Sequence, residues 1–246
     1  MNAALSRMEL RKNLFVFGHM RSYSSLLCHI LGSHAEIDGY CETHIKYRSY
    51  FDLFRLRRRV TQLTGEPLSG RYVLDKVLHD YPLAGGILGS RSSRGIILLR
   101  RPGSTVRSIM KMGMEYIDVA WYRDVEAVAR YYEGRLEGLV RLAGRMQGRV
   151  ALLESEALLS DTAAVLDRLV NFLELGAPLE SVYRRFSHTG EAGYGDPSEA
   201  IVKGRVAEAR TSSADVEVPE PILVRLERVY LARSAELRER CSALIP

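Results

Sequence analysis

The sequence predicts an α/β protein of three layers, with a mostly parallel central sheet flanked by helices. Three observations predict it. Short strand-like segments alternate with helical patterns along the 246 residues. Two of those segments, residues 14–17 and 96–99, are apolar without interruption, as strands covered on both faces are. Glycine and proline punctuate the ends of several patterns, at Gly18, Gly65, Pro67, Gly176 and Pro178. With 46% hydrophobic and 26% charged residues, the chain suits one large core, so a single domain over residues 1–246 is expected.

Leu14, Phe15, Val16 and Phe17 give the first strand, ended by Gly18, and residues 24–31 follow as a helix with Leu26, Leu27, Ile30 and Leu31 on one side. Ser22 and Ser24 are the available N-caps of that helix. Residues 45–63 read as a second helix, closed by Gly65, Glu66 and Pro67. Residues 71–76 and 95–100 are the next strands. Pro102 fits the first turn of a helix running to about Met112, because its missing N–H is not needed there. Val125, Val128, Tyr132, Leu136, Leu139 and Leu142 recur at three- and four-residue steps, predicting an amphipathic helix over residues 122–146. Residues 149–153 form a fourth strand, and Asp161 is placed to cap a helix burying Val165, Leu166, Leu169, Val170, Phe172 and Leu173. Residues 187–197, with Gly190, Gly193, Gly195 and Pro197, read as a long loop that calls for a functional reason. Residues 219–244 read as a closing helix of mixed charge.

No apolar run approaches the roughly 20 residues that cross a bilayer, and residues 1–12 lack the apolar core of a signal peptide, so a cytoplasmic location without a membrane span is expected. Cys28, Cys41 and Cys241 have no CxxC or Cys/His spacing, which argues against a disulfide framework and a structural metal. The formal net charge of +5 suits an anionic ligand. Nucleic acid is the weaker reading of that charge, since the dense cluster at Arg55, Arg57, Arg58 and Arg59 lies in a helical pattern without interleaved aromatics and reads as a solvated face.

The loop Gly18, His19, Met20, Arg21, Ser22, Tyr23, Ser24, Ser25 joins a strand to a helix, where backbone N–H groups and the helix terminus hold phosphates. Against the pattern GxxxxGKS or GxxxxGKT it has Tyr23 for the second glycine and Ser24 for the lysine, so it is not a nucleoside-triphosphatase loop.

From Met20 to Leu27 the segment resembles instead the 5′-phosphosulfate loop of sulfotransferases that use 3′-phosphoadenosine 5′-phosphosulfate (PAPS). Tyr23 departs from the family glycine and Met20 from its proline. In that family an arginine ends the third strand and a serine follows 8 positions later. Here Arg100 and Ser108 stand at that spacing. The chemistry is coherent, because a guanidinium fork and a hydroxyl can converge on one anion. Residues 150–158, Asp161 and residues 170–175 resemble the family's later strand, turn and helix. Residues 188–197, followed by Lys203, Gly204 and Arg205, resemble the glycine-bearing segment that closes over the cofactor.

The resemblance implies a P-loop-like sulfotransferase architecture, with PAPS as donor, 3′-phosphoadenosine 5′-phosphate (PAP) as product and no metal. It implies cofactor contacts at Arg21, Ser22, Tyr23, Ser24, Ser25, Arg100, Ser108, Lys203 and Arg205. Sulfuryl transfer needs a base for the acceptor and cations for the leaving phosphate. Arg21 matches the loop cation, and Lys76 resembles the lysine that meets the transferring group. For the base, the resemblance puts Glu42 first, ahead of His79 and His44, whose ordinary pKa of about 6.5 suits neutral pH. The expected acceptor is a hydroxyl of a small molecule, saccharide or lipid-like metabolite, held by residues 45–63 and 112–123, where Tyr47, Phe51, Met114, Tyr116 and Trp121 offer apolar surface. The alternatives are a P-loop kinase-like phosphotransferase and a non-catalytic module binding nucleotides or nucleic acid.

Overall fold

The structure is a computed structural model and describes residues 11–79, 82–191, 193–206 and 215–245. One six-stranded sheet runs through it. Its strands are β1 (Lys12–Phe17), β2 (Ile37–Asp38), β3 (Tyr72–Val77), β4 (Ser93–Leu99), β5 (Val150–Glu154) and β6 (Ala243–Ile245). They lie in the order β2-β3-β1-β4-β5-β6, and every pairing is parallel. The described helices are α1 (Ser24–Gly32), α2 (Phe51–Thr64), α3 (Gly85–Gly89), α4 (Pro102–Glu115), α5 (Val125–Met146), α6 (Ala157–Ser160), α7 (Thr162–Leu173), α8 (Glu199–Val202) and α9 (Glu220–Arg240).

The period of two along each strand divides the core between the faces of the sheet. Leu14, Val16, Leu74, Ile96, Leu98 and Leu153 pack with α1 and α7 through Leu27, Leu31, Val165 and Leu169. Phe15, Phe17, Val73, Val77, Ile97 and Leu99 point the other way, onto α2, α4, α5 and α9. The predicted three layers are therefore present, and the apolar runs in β1 and β4 exist because both faces are covered. β1 lies between β3 and β4. The connection after β1 leads through α1 to β2 on one side and that after β4 leads through α4 and α5 to β5 on the other, and between two such strands a doubly wound sheet opens a crevice.

Several boundaries differ from the sequence reading. The closing helix ends at Arg240, and residues 243–245 continue as β6, with Ser242 N–H donating to Val150 carbonyl at 2.9 Å. A three-residue apolar strand at a sheet edge carries no periodicity of its own, so it merged into the charged helix. β2, only two residues long, was missed for the same reason. α2 starts at Phe51 rather than residue 45, because Tyr47 is drawn into a bridge with Leu83 and Asp52 accepts hydrogen bonds from the N–H groups of Arg48 and Ser49. α5 starts at Val125, after a 3₁₀ turn over Ala120–Arg123, and Asp124 caps it through Glu126 and Ala127 N–H. Asp161 occupies the N-cap position of α7 without a side-chain cap bond, and Tyr23, not Ser22 or Ser24, is the uncapped N-cap of α1. The arginine cluster is not wholly solvated: Arg57 is buried and donates to Leu53 and Arg11 carbonyls. Among the described residues no helix is long and apolar enough to cross a membrane.

The end of α1 is pressed onto the chain leaving β2. A Cβ at Gly32 would lie 2.3 Å from Gly39 carbonyl oxygen, so only glycine fits. Gly32→Ala should lower the unfolding free energy by about 1–3 kcal/mol, the usual penalty for overpacking. Urea denaturation with an unchanged m-value measures it.

Candidate active site

The site forms where the loops after β1 and β4 meet the ends of β3 and the segment that follows β2. Gly18 begins the first loop because a Cβ there would lie 2.7 Å from Ser22 Oγ. Arg21 and Tyr23 adopt left-handed backbone angles, φ 63° and 59°. Tyr23 thus supplies the conformation that glycine gives most cheaply, at a steric cost that L residues ordinarily avoid. Its ring lies 4.4 Å from the Arg100 guanidinium carbon, and its hydroxyl accepts from Arg100 Nη2 at 3.0 Å.

Residues 21 and 100, both expected at the cofactor, therefore meet. Arg100 Nη1 donates to the Arg21 carbonyl at 2.8 Å, and its Nε stands 3.9 Å from Glu156 Oε1. Ser108, expected beside Arg100, instead accepts from Arg21 Nε at 2.9 Å. Arg21 Nη1 also pairs with Asp196 at 2.9 Å. Burial pushes the Asp196 carboxyl up, but Arg21 and the Ser198 bonds outweigh it and hold the group below the usual carboxylate range.

Buried His19 joins the two stretches through their backbones. Its Nδ1 bonds the Met20 carbonyl at 2.9 Å, and Arg100 N–H donates to Nε2 at 3.1 Å, an arrangement that fits the neutral ring. Burial brings its pKa down to about 4, with Arg100 and Arg135 adding to the effect.

The second group centres on Lys76 of β3. Its side chain is 1% exposed and its Nζ sits 3.1 Å from Glu42 Oε1 and 3.0 Å from Ser25 Oγ. Burial works against this ammonium, but Glu42 and the neighbouring thiols outweigh burial and raise its pKa. Lys76 is therefore no surface lysine. Its neighbour Asp75 accepts from Thr43 N–H, Thr43 hydroxyl and Tyr47 hydroxyl at 2.9, 2.7 and 2.5 Å. Burial nonetheless lifts its carboxyl to about 6. Thr43 follows Glu42, so bonding to Asp75 fixes the backbone that carries Glu42 toward Lys76.

Two loops and one helix close the arrangement. Asp196 N–H donates to Ser25 Oγ at 2.9 Å, bringing the glycine-bearing loop onto the first loop. Exposed His44 bonds the Gly193 carbonyl at 2.8 Å, a tether rather than a place beside Lys76. From α5, buried Arg135 donates to the Gly18 and Val77 carbonyls at 2.6 and 2.7 Å, linking the ends of β1 and β3. Tyr131 hydroxyl accepts from Met20 N–H at 2.9 Å, and Tyr122 hydroxyl lies 3.4 Å from Met20 Sδ.

The structure thus brings together Arg21, Ser22, Tyr23, Ser24, Ser25, Glu42, Lys76, Arg100 and Ser108 at one end of the sheet. His79 stands half-buried two residues beyond β3. Lys203 and Arg205 are exposed, and among the described residues neither side chain has an ion-pair or hydrogen-bond partner. Tyr47 is core material, edge-on to Phe15, whereas Phe51, Met114 and Tyr116 are exposed. Sequence reasoning missed His19, Arg135 and Asp196. A signal existed for Arg135, which falls inside the apolar stripe of α5 between Tyr132 and Leu136.

No protein-family model matches the chain, and no curated protein does. Solved structures do. A sulfotransferase domain from the curacin biosynthetic pathway is similar with a TM-score of 0.59 and 17% identity, over 93% of this chain and 98% of that one. A sulfotransferase domain from the Synechococcus PCC 7002 olefin synthase is similar with a TM-score of 0.52 and 18% identity, over 90% and 95%. The chain has the fold of these sulfotransferase domains, an all-parallel sheet between helical layers.

A neutral His19 contributes stability that is complete above the unfolded pKa of about 6.5 and is lost as pH falls toward its folded value of about 4. Relative to His19→Gln, the wild-type protein should therefore lose on the order of 3 kcal/mol between pH 6.5 and 4. Urea midpoints of both proteins across that range test it, and parallel curves would refute the assignment.

Proposed function

We propose that the protein is a sulfotransferase that moves a sulfuryl group from PAPS to an acceptor hydroxyl. One observation carries the reading: the strand-to-helix loop, Arg100 and the buried Lys76–Glu42 pair converge at the carboxyl ends of β1, β3 and β4, in a fold shared with sulfotransferase domains. The donor's chemistry fits what stands there. Ser22 Oγ in the loop and Arg100 Nε are buried without hydrogen-bond partners, so both retain donors for an oxyanion. Asp196 already places a carboxylate on Arg21, and phosphate is an oxyanion of the same kind.

In the proposed reaction Glu42 takes the acceptor's hydroxyl proton as the new oxygen–sulfur bond forms and the bond from sulfur to the 5′-phosphate oxygen breaks, releasing PAP. Lys76, fixed between Glu42 and Ser25, meets the charge on the transferring group. Arg21, held by Ser108 through its Nε, neutralises the departing 5′-phosphate, and Arg100 favours the 3′-phosphate. The left-handed Tyr23 holds its ring against Arg100 and so limits where that guanidinium can point. The expected location is cytoplasmic, and the acceptor a small molecule, saccharide or lipid-like metabolite.

PAP should raise thermal stability more than ATP with magnesium does, because a ligand that binds only the folded state stabilises it by mass action. The reverse order would replace this reading with a phosphotransferase. Arg100→Ala should weaken PAP far more than adenosine 5′-phosphate in titration calorimetry, and equal losses would remove Arg100 from the 3′-phosphate. Glu42→Gln should slow transfer of labelled sulfate by about 10²–10⁴-fold while PAP affinity holds. Unchanged turnover would move the base to His79.

A further inference from the structure

A cavity of about 680 Å³ opens beside the start of α2, and its wall combines cations with an exposed aromatic ring. Asp52 is the one acid among its lining residues, and it is already occupied: its carboxylate accepts from Arg48 and Ser49 N–H at 2.9 Å each and from Arg55 Nη1 at 3.0 Å. Arg55 is thereby largely spent. The Lys46 and Arg48 side chains, both exposed, have no ion-pair or hydrogen-bond partner among the described residues. Two uncompensated cations at one concavity concentrate anions there.

Phe51 supplies the apolar part of the wall and is 65% exposed, with Phe54 close by at 6.1 Å between ring centroids. Large exposed aromatics grouped in this way mark a contact surface rather than core. The cavity also adjoins the reacting centre. His44 lines it, and only Thr43 stands between His44 and Glu42 in the chain, so their Cα atoms are at most about 7 Å apart.

We propose that this cavity is the acceptor's subsite and that it selects an anionic amphiphile, a molecule with a carboxylate, sulfate or phosphate against Lys46 and Arg48 and an apolar body against Phe51. The acceptor role rests on the sulfotransferase reading, whereas the anion preference stands on the cavity itself. The hydroxyl that takes the sulfuryl group is separate from the anionic group and reaches back toward Glu42.

The test is equilibrium binding of 12-hydroxydodecanoate and its uncharged amide, with and without PAP, to the wild-type protein and to a variant carrying both Lys46→Ala and Arg48→Ala. The carboxylate should bind about tenfold tighter than the amide, the difference a single charge-assisted contact makes. That advantage should shrink with added salt and vanish in the variant, while PAP affinity stays unchanged. Equal binding of the two probes, no binding of the carboxylate, or a preference that survives in the variant would overturn the proposal. Thermal stabilisation by PAP on the same samples separates the two readings. Its loss with the preference intact removes the donor assignment, and its presence without the preference removes only the subsite.

Discussion

A buried ammonium is the constraint around which this end of the sheet is organised. Lys76 is held inside the protein, where an unpaired cation costs several kcal/mol, so its partners must be in place whenever the chain is folded. Those partners come from two separate parts of the sequence, and a third part is fastened to one of them. Glu42 arrives on the segment after β2, Ser25 on the first turn of α1, and Ser25 in turn receives the backbone of Asp196 from the glycine-bearing loop. Burying one charge therefore fixes the mutual positions of three loops, and it does so at the open end of a parallel sheet. Gly195 shows how closely they approach, since a Cβ there would lie 3.5 Å from Lys76 Nζ and 3.1 Å from Ser25 Oγ.

The first loop reaches its shape without the glycine that the sulfotransferase pattern carries. Tyr23 takes the left-handed angle instead, and the structure offsets that strain through the ring itself, which lies against Arg100 and bonds it through the hydroxyl. The residue that departs from the family pattern thus holds the residue that keeps to it. Arg135 acts from below the same loop. Its guanidinium satisfies carbonyls at the ends of two neighbouring strands, so the loop starts from a fixed edge.

The alternation of strands and helices was legible because both sheet faces are covered: unbroken apolar runs in β1 and β4 leave no other arrangement open to them. That the stretches around Arg21 and Arg100 share one end was also legible, since loops following adjacent strands of a parallel sheet do so, whereas the contact of Tyr23 with Arg100 was not. The rest depended on contacts with no local signature. β2 and β6 owe their existence to a neighbouring strand. The position of Arg135 in the apolar stripe of α5 marks it as buried but not which carbonyls it serves, and Ser108 was assigned to Arg100 by spacing although Arg21, one loop away, reaches it first. Long-range hydrogen bonds of this kind are set by tertiary position and leave no period in the sequence.

The site's cations differ in how firmly their internal acceptors are held, and this decides which of them a ligand can engage. Arg135 bonds carbonyls at the ends of strands and cannot turn to a newcomer without disturbing the sheet, whereas Lys76 is fixed by Glu42 and Ser25, two contacts for an ammonium that has three N–H donors. Arg21 is different. Its carboxylate partner, Asp196, rides on the glycine-bearing loop, fastened to the first loop by a backbone bond to Ser25. An oxyanion offers Arg21 the same kind of partner that the Asp196 carboxylate does. Asp196 thus fastens the loop through its backbone N–H and occupies Arg21 through its carboxylate, so the contact to Arg21 is separable from the one that holds the loop.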